Sequence, residues 1–341
     1  MKLKLGRPGG VLVIAEIGMN HDGSLRKAKA LIRAAAAAGA DAVKFQTHIA
    51  EAETLMDAPA PPYFKAEPRF QFFKRTAFTR AQHAELKAEA RSRGVRFISS
   101  PFSERAVNLL RAAGVDAFKI PSGEVTNGPL LAQAAATGIP VILSSGMSNL
   151  RELDEAVAVL RRGRSPFAVL QCTSMYPCPE EFVGLNLLDL LRRRYGCPVG
   201  LSDHTLGLHA SWAAAALGAD LIERHFTLSK SDYGPDARFS LEPGEFRTLV
   251  EGLRSVGRML SHPVDKDALC RRLSPMKRIF EKSVVSSRAI AKGAVIGRLD
   301  LALKKPGIGI PPRDMRLVVG RTAVKNIPAE VLIRRGMFRR S

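Results

Sequence analysis

The sequence predicts a (β/α)8 barrel followed by a small domain rich in β-structure. Within the first 230 residues, apolar runs of strand length alternate with amphipathic helical patterns, and eight such runs can be placed. Six of the helical patterns are followed by a glycine, which favours the left-handed cap at a helix C-terminus. Eight strand–helix units in roughly 250 residues match the size and strand count of this barrel.

The eight predicted strands have continuous apolar cores, as expected for parallel strands that helices cover on both faces. They are Val11–Gly18, Asp41–Gln46, Arg96–Phe102, Ala117–Ser122, Val141–Met147, Phe167–Thr173, Val199–His204 and Leu221–Thr227. The six glycines are Gly39, Gly94, Gly114, Gly138, Gly196 and Gly218. An open, doubly wound sheet is the alternative fold, but no G-x-G-x-x-G pattern follows the first strand to support it.

The pattern changes after Ser261. Residues 1–260 are predicted to form the barrel, residues 261–282 a linker and residues 283–341 the β-rich domain. This last segment contains four short β-like runs separated by glycine and proline, namely SVVSSRAI, DLALKK, RLVVGRTAV and EVLIRRGMF. A domain of about 60 residues buries little apolar surface, so we expect it to be marginally stable in isolation.

The composition excludes several classes of protein. A chain of 341 residues with 46% apolar and 25% charged side chains is typical of a globular protein and not of a disordered one. No stretch approaches eighteen apolar residues, which excludes a membrane span, and the first residues lack the pattern of a signal peptide. The four cysteines show no C-x-x-C spacing, which favours reduced thiols and a cytoplasmic protein. Cys172 and Cys178 are interpreted as core or loop thiols.

The positive charge is concentrated at the C-terminus. The formal net charge is +20, and residues 271–341 carry 18 basic and 4 acidic residues, which account for +14. Such a domain fits nucleic acid, an anionic membrane surface or an anionic small substrate. It contains no tyrosine, no tryptophan and no nucleic-acid-binding motif, which argues against nucleic acid.

Polar residues occupy the ends of the predicted strands, where a barrel of this kind carries its chemistry. Lys44 and Lys119 are the most informative, because they interrupt otherwise apolar strands. We predict that they are cation sites for a phosphate or carboxylate, aided by nearby serine hydroxyls. The alternatives are a pair of structural lysines in salt bridges, or a Schiff-base nucleophile at one of the two.

His204 and His225 end adjacent predicted strands, so both imidazoles can reach one point above the barrel mouth. A nitrogen pair of this kind suits a divalent transition metal. Asp203 beside the histidines and Glu16 on the opposite side strengthen the prediction of a metal site.

With these residues placed, the sequence resembles the N-acetylneuraminate (sialic acid) synthase family, which comprises phosphoenolpyruvate-dependent nonulosonate synthases. The resemblance rests on several motifs in a fixed order between about residues 10 and 240. They are AEIGMNHDGS (15–24), VKFQ (43–46), SSPFS (99–103), KIPSGE (119–124), LSSGMS (143–148), CTSMYPCP (172–179), GLSDHTLG (200–207), ERHFT (223–227) and GPD (234–236). KKPGIGIPP (304–312) is similar to the C-terminal SAF, or antifreeze-like, domain of the family.

The resemblance implies condensation of phosphoenolpyruvate with an open-chain N-acylhexosamine, which yields a nine-carbon 2-keto sugar acid and inorganic phosphate. The implied acceptor is N-acetylmannosamine or a diacetamido-dideoxyhexose. The residues implied to bind phosphoenolpyruvate are Lys44, Ser100, Lys119, Ser122, Ser144, Ser174 and Ser202. The residues implied to face the sugar are Gln46, Glu124, Tyr176, Asp236 and Lys305.

The resemblance also implies a divalent metal at His204 and His225, with manganese expected and magnesium or cobalt as alternatives. Together with these histidines, Glu16 is the expected catalytic residue, either as proton donor to the former aldehyde oxygen or as an orienting group. A salt bridge to Lys44 is the structural alternative for Glu16. In the family, the SAF domain of one subunit covers the barrel mouth of its partner, so a domain-swapped homodimer is expected. Its positive charge would attract an anionic substrate.

Two departures from the family pattern concern the sugar. Lys305 stands where the family often has an arginine, and lysine cannot reproduce the planar guanidinium fork. Residues 58–75 contain no asparagine, which some sialic acid synthases use for the sugar. Legionaminate-type and pseudaminate-type synthesis therefore stay open beside N-acetylneuraminate synthesis. The alternative activities are a Schiff-base pyruvate aldolase using Lys119 or Lys44 and, in another class, a non-catalytic sugar- or nucleic-acid-binding protein on a barrel scaffold.

Overall fold

The computed structural model describes residue 5 and residues 10–59 and 66–339. The chain divides into two compact units, Met1–His262 and Pro263–Ser341, called here the barrel unit and the C-terminal unit. The division falls within residues 261–282, the segment predicted as a linker. In the structure this segment contains two short helices, α11 (Lys266–Arg272) and α12 (Ser274–Phe280).

Eight parallel strands close into a barrel in chain order, which confirms the predicted fold class. They are β1 (Leu12–Gly18), β2 (Ala42–Thr47), β3 (Arg96–Pro101), β4 (Ala117–Ile120), β5 (Val141–Ser144), β6 (Phe167–Cys172), β7 (Val199–Asp203) and β8 (Leu221–His225). β1 pairs with both β2 and β8, which closes the sheet. β4 ends before the predicted Ser122, because Pro121 has no N–H group to donate to the strand ladder.

Helices surround the barrel. They are α1 (Leu25–Ala37), α2 (Ala50–Glu53), α3 (Arg69–Thr76), α4 (Arg80–Ser92), α5 (Glu104–Ala113), α6 (Gly128–Ala136), α7 (Leu150–Arg162), α8 (Leu187–Tyr195), α9 (His209–Ala216) and α10 (Pro243–Leu260). All six glycines predicted to follow helices have positive φ angles, between 57° at Gly196 and 92° at Gly39, which confirms that prediction. In the part of the chain that the structure describes, no helix is long and apolar enough to cross a membrane.

An apolar layer fills the barrel towards the amino ends of its strands. It consists of Leu12, Ile14, Ala42, Ile98, Ala117, Ile142, Ala168, Leu170 and Leu221, with Leu5 packed against them. Because residues two apart on a strand face the same side, the next inward position on each strand lies closer to its carboxyl end. Glu16 follows Ile14 in this way, and Glu223 follows Leu221. The apolar layer therefore places the polar strand ends on the inside of the barrel.

The C-terminal unit contains two small antiparallel sheets. β9 (Ser283–Ser286) pairs with β10 (Leu301–Lys304), and β11 (Thr322–Ala323) pairs with β12 (Phe338–Arg339). Their core is formed by Val284, Ile290, Ile296, Leu301, Val318, Ala323, Ile327 and Ile333. The first two predicted β-like runs supply β9 and β10, whereas the third is a strand only at β11. The fourth contributes a single bridge from Leu332 to Val285 and the start of β12.

Candidate active site

Four charged side chains form what we call the ion-pair network inside the barrel. Lys44 Nζ lies 2.7 Å from Glu16 Oε2 and 3.8 Å from Glu223 Oε1. Lys119 Nζ donates to both carboxylate oxygens of Glu223, at 2.8 and 3.0 Å. All four side chains are at most 5% exposed. The salt bridges considered as the structural alternative for both lysines and for Glu16 are therefore present, and the two positive and two negative charges compensate one another.

The two carboxyl groups of the network differ in acidity. Burial raises the pKa of Glu16, although the charge of Lys44 opposes this effect. Glu223 is also buried, but Lys119 and Lys44 together lower its pKa to about 2. For Lys44, burial acts to lower the pKa, and the charges of Glu16 and Glu223 more than offset it and raise the pKa. Glu223 is thus held ionised, and Glu16 is the carboxyl group better able to carry a proton.

Two of the predicted serines are tied to this network. Lys44 Nζ donates to Ser100 Oγ at 3.4 Å, and Ser202 Oγ donates to Glu223 Oε1 at 3.1 Å. Both serines lie on the inward face of their strands, at Ser100 on β3 and Ser202 on β7. The structure therefore brings Lys44, Lys119 and these two hydroxyls into one cluster.

Of the other three predicted serines, Ser122 and Ser174 lie beside Gly146, and Ser144 is bonded to Ser122. Ser122 Oγ donates to Ser144 Oγ at 3.0 Å and accepts a hydrogen bond from the Gly146 N–H group at 3.1 Å. A Cβ atom at Gly146 would lie 2.3 Å from Ser174 Oγ and 2.5 Å from Ser122 Oγ. A side chain here would displace these hydroxyl groups, and the Gly146 N–H group and the three hydroxyls form a compact set of hydrogen-bonding groups.

The two histidines meet as predicted, with ring centroids 5.5 Å apart. His204 Nδ1 donates to the Thr173 carbonyl oxygen at 2.9 Å, so that in the neutral ring the lone pair lies on Nε2. His225 Nδ1 is buried and has no hydrogen-bond partner among the described residues. The Tyr176 ring packs against His204 at a centroid distance of 4.2 Å. Two ring nitrogens without hydrogen-bond partners on neighbouring strands fit a metal ion. Within the described ranges, the two histidines are not part of a larger group, because no set of three or more histidine, cysteine, aspartate or glutamate residues is arranged to hold a metal ion.

Gly18 allows three polar side chains to approach one point. It has a φ angle of +52°, and a Cβ atom there would lie 3.2 Å from Glu16 Oε1, 3.2 Å from Asp236 Oδ2 and 3.3 Å from Gln46 Nε2. Burial, reinforced by the charge of Glu16, raises the pKa of Asp236 to about 7. Asp236 Oδ2 also lies 3.9 Å from His225 Nδ1. Two carboxyl groups able to carry a proton therefore lie beside the histidine pair.

A cavity of about 570 Å³ opens onto these groups. Six of the predicted site residues line it, namely Gln46, Ser122, Ser174, Tyr176, His225 and Asp236. Glu124 instead lines a neighbouring acidic cavity of about 470 Å³ together with Glu51, Glu53 and Glu104. Lys305 belongs to the C-terminal unit, where its Nζ lies 5.1 Å from the centre of the Phe280 ring. The structure thus places these six residues at one cavity of the barrel unit and Glu124 at its neighbour.

Asp203 is directed away from this site. Its Oδ2 accepts hydrogen bonds from Arg224 Nη1 and Ser211 Oγ, both at 2.6 Å. Neighbouring residues of a strand face opposite sides, so Asp203 points towards helix α9 while His204 points inward. The expectation that Asp203 supports the metal site is not met. The sequence analysis gave no role to Glu223. Its place two residues before His225 on the same strand indicates that it also points into the barrel.

Both units of the chain are similar to known proteins. Residues 31–265 match the NeuB family and residues 281–339 match the SAF domain. The N,N'-diacetyllegionaminic acid synthase of Campylobacter jejuni is 38% identical over 331 residues, which cover 95% of this chain and 98% of that protein. The N-acetylneuraminate-9-phosphate synthase of Homo sapiens is 35% identical, with 92% of this chain and 89% of that protein covered.

A solved structure agrees with these relatives. The N-acetylneuraminic acid (sialic acid) synthetase from Leptospira borgpetersenii serovar Hardjo-bovis has a TM-score of 0.69 at 30% identity, covering 82% of this chain and 98% of that chain. The resemblance drawn from the sequence motifs is therefore confirmed. The chain belongs to the NeuB family, and it is an enzyme of the synthase type with a C-terminal SAF domain.

Proposed function

We propose that this enzyme condenses phosphoenolpyruvate with an open-chain N-acylhexosamine, giving a nine-carbon 2-keto sugar acid and inorganic phosphate. The observation that carries the proposal is that Lys44 and Lys119 lie in the barrel interior with bonded serine hydroxyls, while Ser122, Ser174 and His225 line the cavity and the His204 ring lies 5.5 Å from that of His225. The relatives described above are named for syntheses of legionaminic and N-acetylneuraminic acids, which are products of this class.

Phosphoenolpyruvate carries up to three negative charges, so it requires several cationic and hydroxyl donors. Each lysine ammonium group has three N–H donors. Lys119 directs two of them to Glu223, and Lys44 directs one to Ser100 while its ammonium group forms an ion pair with Glu16. We assign the third donor of each lysine to phosphoenolpyruvate. Ser122 and Ser174, which line the cavity, supply the adjoining hydroxyl groups.

We further propose that His204 and His225 hold a divalent metal, with manganese expected and magnesium or cobalt as alternatives. The buried Nδ1 of His225 and the lone pair left on His204 Nε2 support this assignment. A metal bound there would act as a Lewis acid on the aldehyde oxygen of the sugar.

Glu16 is the proposed proton donor. Carbon 3 of phosphoenolpyruvate forms a bond to the aldehyde carbon, and the former carbonyl oxygen takes a proton as its bond order falls. Burial raises the pKa of Glu16, which favours uptake of the proton that it would donate, and Gln46 Nε2 holds its Oε1 at 2.9 Å. Water then adds to carbon 2, and the tetrahedral intermediate expels inorganic phosphate by cleavage of its C–O bond.

The cavity walls indicate how the acceptor sugar binds. Phe72, Phe73 and Phe102 line one part of the cavity and offer an apolar surface for acyl methyl groups. Gln46, Tyr176 and Asp236 line it as well and can bond the sugar hydroxyls. We propose a 2-acetamido or 2,4-diacetamido hexose as the acceptor.

We also propose that the active form is a homodimer in which the SAF domain of the partner subunit covers the barrel mouth. Large apolar side chains are exposed on the connections that follow five of the strands: Met56, Met147, Met175, Phe182, Leu206 and Leu228. An exposed apolar rim of this kind favours coverage by protein. The positively charged C-terminal unit would raise the local concentration of the anionic substrate. The four cysteines are free, in keeping with a cytoplasmic enzyme.

The geometry does not favour a Schiff-base aldolase. Such an enzyme attacks its substrate with a neutral lysine amine. For Lys44, the charges of Glu16 and Glu223 more than offset the effect of burial and raise the pKa, and the Lys119 side chain is occupied by two hydrogen bonds to the Glu223 carboxylate.

The decisive experiment measures phosphate release from phosphoenolpyruvate with Mn²⁺ present, against a panel of 2-acetamido and 2,4-diacetamido hexoses. Release that depends on one sugar would support the reaction class and name the acceptor. Borohydride trapping of pyruvate on the enzyme, with no phosphate release for any sugar, would overturn the proposal in favour of an aldolase.

A further inference from the structure

His48 follows β2 and lines the cavity, but the reaction proposed above gives it no role. Its ring is stacked between Phe73 and Phe102, with centroid distances of 3.7 and 4.1 Å and interplanar angles of 5° and 25°. Its Nδ1 lies 2.5 Å from Glu53 Oε1, and its side chain is 2% exposed. The ring is therefore fixed in position by both packing and hydrogen bonding.

A continuous chain of hydrogen bonds leads from Glu53 to the proposed proton donor. His48 Nε2 lies 3.2 Å from Gln46 Oε1, and Gln46 Nε2 donates to Glu16 Oε1 at 2.9 Å. Glu53 is itself anchored, because its Oε2 accepts a hydrogen bond from the Ile49 N–H group at 3.1 Å. The order along this chain is Glu53, His48, Gln46 and Glu16.

The chemistry of these groups sets the direction of the bonds. The Glu16 carboxylate accepts from the NH₂ group of Gln46, so the Gln46 carbonyl oxygen must face His48. His48 must then donate from Nε2. Two arrangements of the Glu53 contact satisfy this: an imidazolium that donates from Nδ1 to the Glu53 carboxylate, or an Nε2–H imidazole whose Nδ1 accepts from a protonated Glu53 carboxyl group. In both arrangements Nε2 carries a proton. The neutral Nδ1–H tautomer does not satisfy it, because Nε2 and Gln46 Oε1 would then be two acceptors facing each other.

We infer that His48 is a positioning residue: it orients the Gln46 amide so that its NH₂ group holds the Glu16 carboxyl towards the acceptor. The kinetic consequence rests on the proposed function, whereas the hydrogen-bond order does not. Glu53 and the two phenylalanine rings fix His48 in turn.

Two substitutions separate this role from simple packing. His48→Phe keeps an aromatic ring between Phe73 and Phe102 but removes the Nε2 donor. Glu53→Gln keeps the donor, because its amide can donate to His48 Nδ1 while its oxygen accepts from the Ile49 N–H group. The two variants therefore form a matched pair that differs in the hydrogen bond to Gln46.

The kinetic test is a double-mutant cycle in the full-length enzyme with Mn²⁺. We expect His48→Phe to lower kcat about 10- to 100-fold, with the KM for phosphoenolpyruvate within about twofold of wild type. The fall in kcat caused by Glu53→Gln should be at least about tenfold smaller than the fall caused by His48→Phe. In a Gln46→Met background, His48→Phe should lower kcat no further. An equal loss in both backgrounds, or an unchanged kcat in His48→Phe, would overturn the inference.

A second measurement is independent of turnover. In protein labelled with ¹⁵N-histidine, His48 Nε2 should show a directly bonded, slowly exchanging proton that is absent from His48→Phe and shifted in Gln46→Met. An unprotonated Nε2 would mean that the Gln46 amide is reversed, and the inference would fail. The enzyme could show the expected resonance and yet release phosphate with no sugar of the panel. That result would support the hydrogen-bond order and count against the proposed function alone.

Discussion

Lys119 and Glu223 form an ion pair across the interior of the barrel, with Lys119 Nζ 2.8 Å from Glu223 Oε1 and 3.0 Å from Oε2. Their strands, β4 and β8, lie on opposite sides of the eight-stranded barrel, so the pair joins two opposite walls. Lys44 Nζ approaches the same Oε1 atom at 3.8 Å. An anion that binds to the lysines would share them with Glu223, so we expect the ion-pair network to set the affinity for the proposed substrate phosphoenolpyruvate.

Replacing Lys119 by methionine should raise the KM for phosphoenolpyruvate at least about tenfold, because one charge-assisted donor is lost and Glu223 keeps its negative charge. Steady-state phosphate release at varied phosphoenolpyruvate measures this change. Lys29→Met is the matched control, since Lys29 pairs with Glu85 on the outer surface. A KM that is unchanged in Lys119→Met would place the phosphate site elsewhere.

His204→Ala and His225→Ala should each abolish Mn²⁺-dependent turnover and reduce the Mn²⁺ retained after gel filtration. Each variant removes one of the two imidazoles proposed to bind the metal, and no cluster of three potential ligands among the described residues could take over. His262→Ala, at an exposed histidine, is the control and should behave as wild type. Full activity in either site variant would show that the metal does not bind at this position.

The sequence predicted the barrel and the gathering of its polar strand ends for one physical reason. Residues two apart on a strand share a face, so an apolar layer that includes Ile14 and Leu221 directs Glu16 and Glu223 to the same interior. The same rule explains the failure at Asp203. It stands next to His204 in the chain and therefore points to the opposite side, where Arg224 binds it.

The contacts of the His48 side chain could not be predicted from the sequence. Its partners come from separate elements: Glu53 from α2, Phe73 from α3 and Phe102 from the connection after β3. No period of a helix or strand relates these positions, because the path of the connection between β2 and β3 determines their contacts. The position of Glu124 likewise depends on a local turn, since the 3-10 turn Ser122–Glu124 places it at the neighbouring cavity, and its contact with the sugar stays a prediction.

His21 should make the stability of the protein depend on pH. Burial lowers its pKa from 6.5 to about 3. Between these values the unfolded chain binds one proton more than the folded chain, so the free energy of unfolding decreases as the pH falls, by about 1.4 kcal/mol per pH unit. His21→Phe retains the stacking on Phe78, where the centroids lie 4.4 Å apart, and removes this titration.

Urea unfolding between pH 6 and pH 4 tests this prediction. The free energy of unfolding of His21→Phe should fall less steeply than that of wild type, by the contribution of about one proton. His262→Phe, at an exposed position, is the control for replacing a histidine by phenylalanine. Parallel curves for His21→Phe and wild type would mean that His21 is charged in the folded protein.

Deletion of residues 283–341 should leave a folded barrel with little synthase activity. The deletion leaves β1–β8 and α1–α10 complete, and the barrel core includes no residue from the deleted segment. The expected loss of activity reflects the missing cover over the barrel mouth. Circular dichroism and thermal unfolding report on the fold, and phosphate release reports on activity. Wild-type activity in the folded, shortened protein would reject the covering role of the SAF domain.

Arg224→Met should destabilise the barrel by about 3–5 kcal/mol, because it leaves a buried carboxylate without its cation. Arg224 is 1% exposed, and its Nη1 lies 2.6 Å from Asp203 Oδ2. Its guanidinium also donates to the carbonyl oxygens of Thr205 and Gly207, at 2.7 and 2.8 Å. Urea unfolding gives the free energy of each variant.

A second substitution separates the two contributions of Arg224. In Arg224→Met/Asp203→Asn the unpaired charge is absent, so part of the lost stability should return, while the carbonyl oxygens of Thr205 and Gly207 stay without their donor. A double variant as unstable as Arg224→Met alone would assign the loss to those carbonyl groups and to packing. Recovery in the double variant would show that the buried charge of Asp203 is what Arg224 is needed to neutralise.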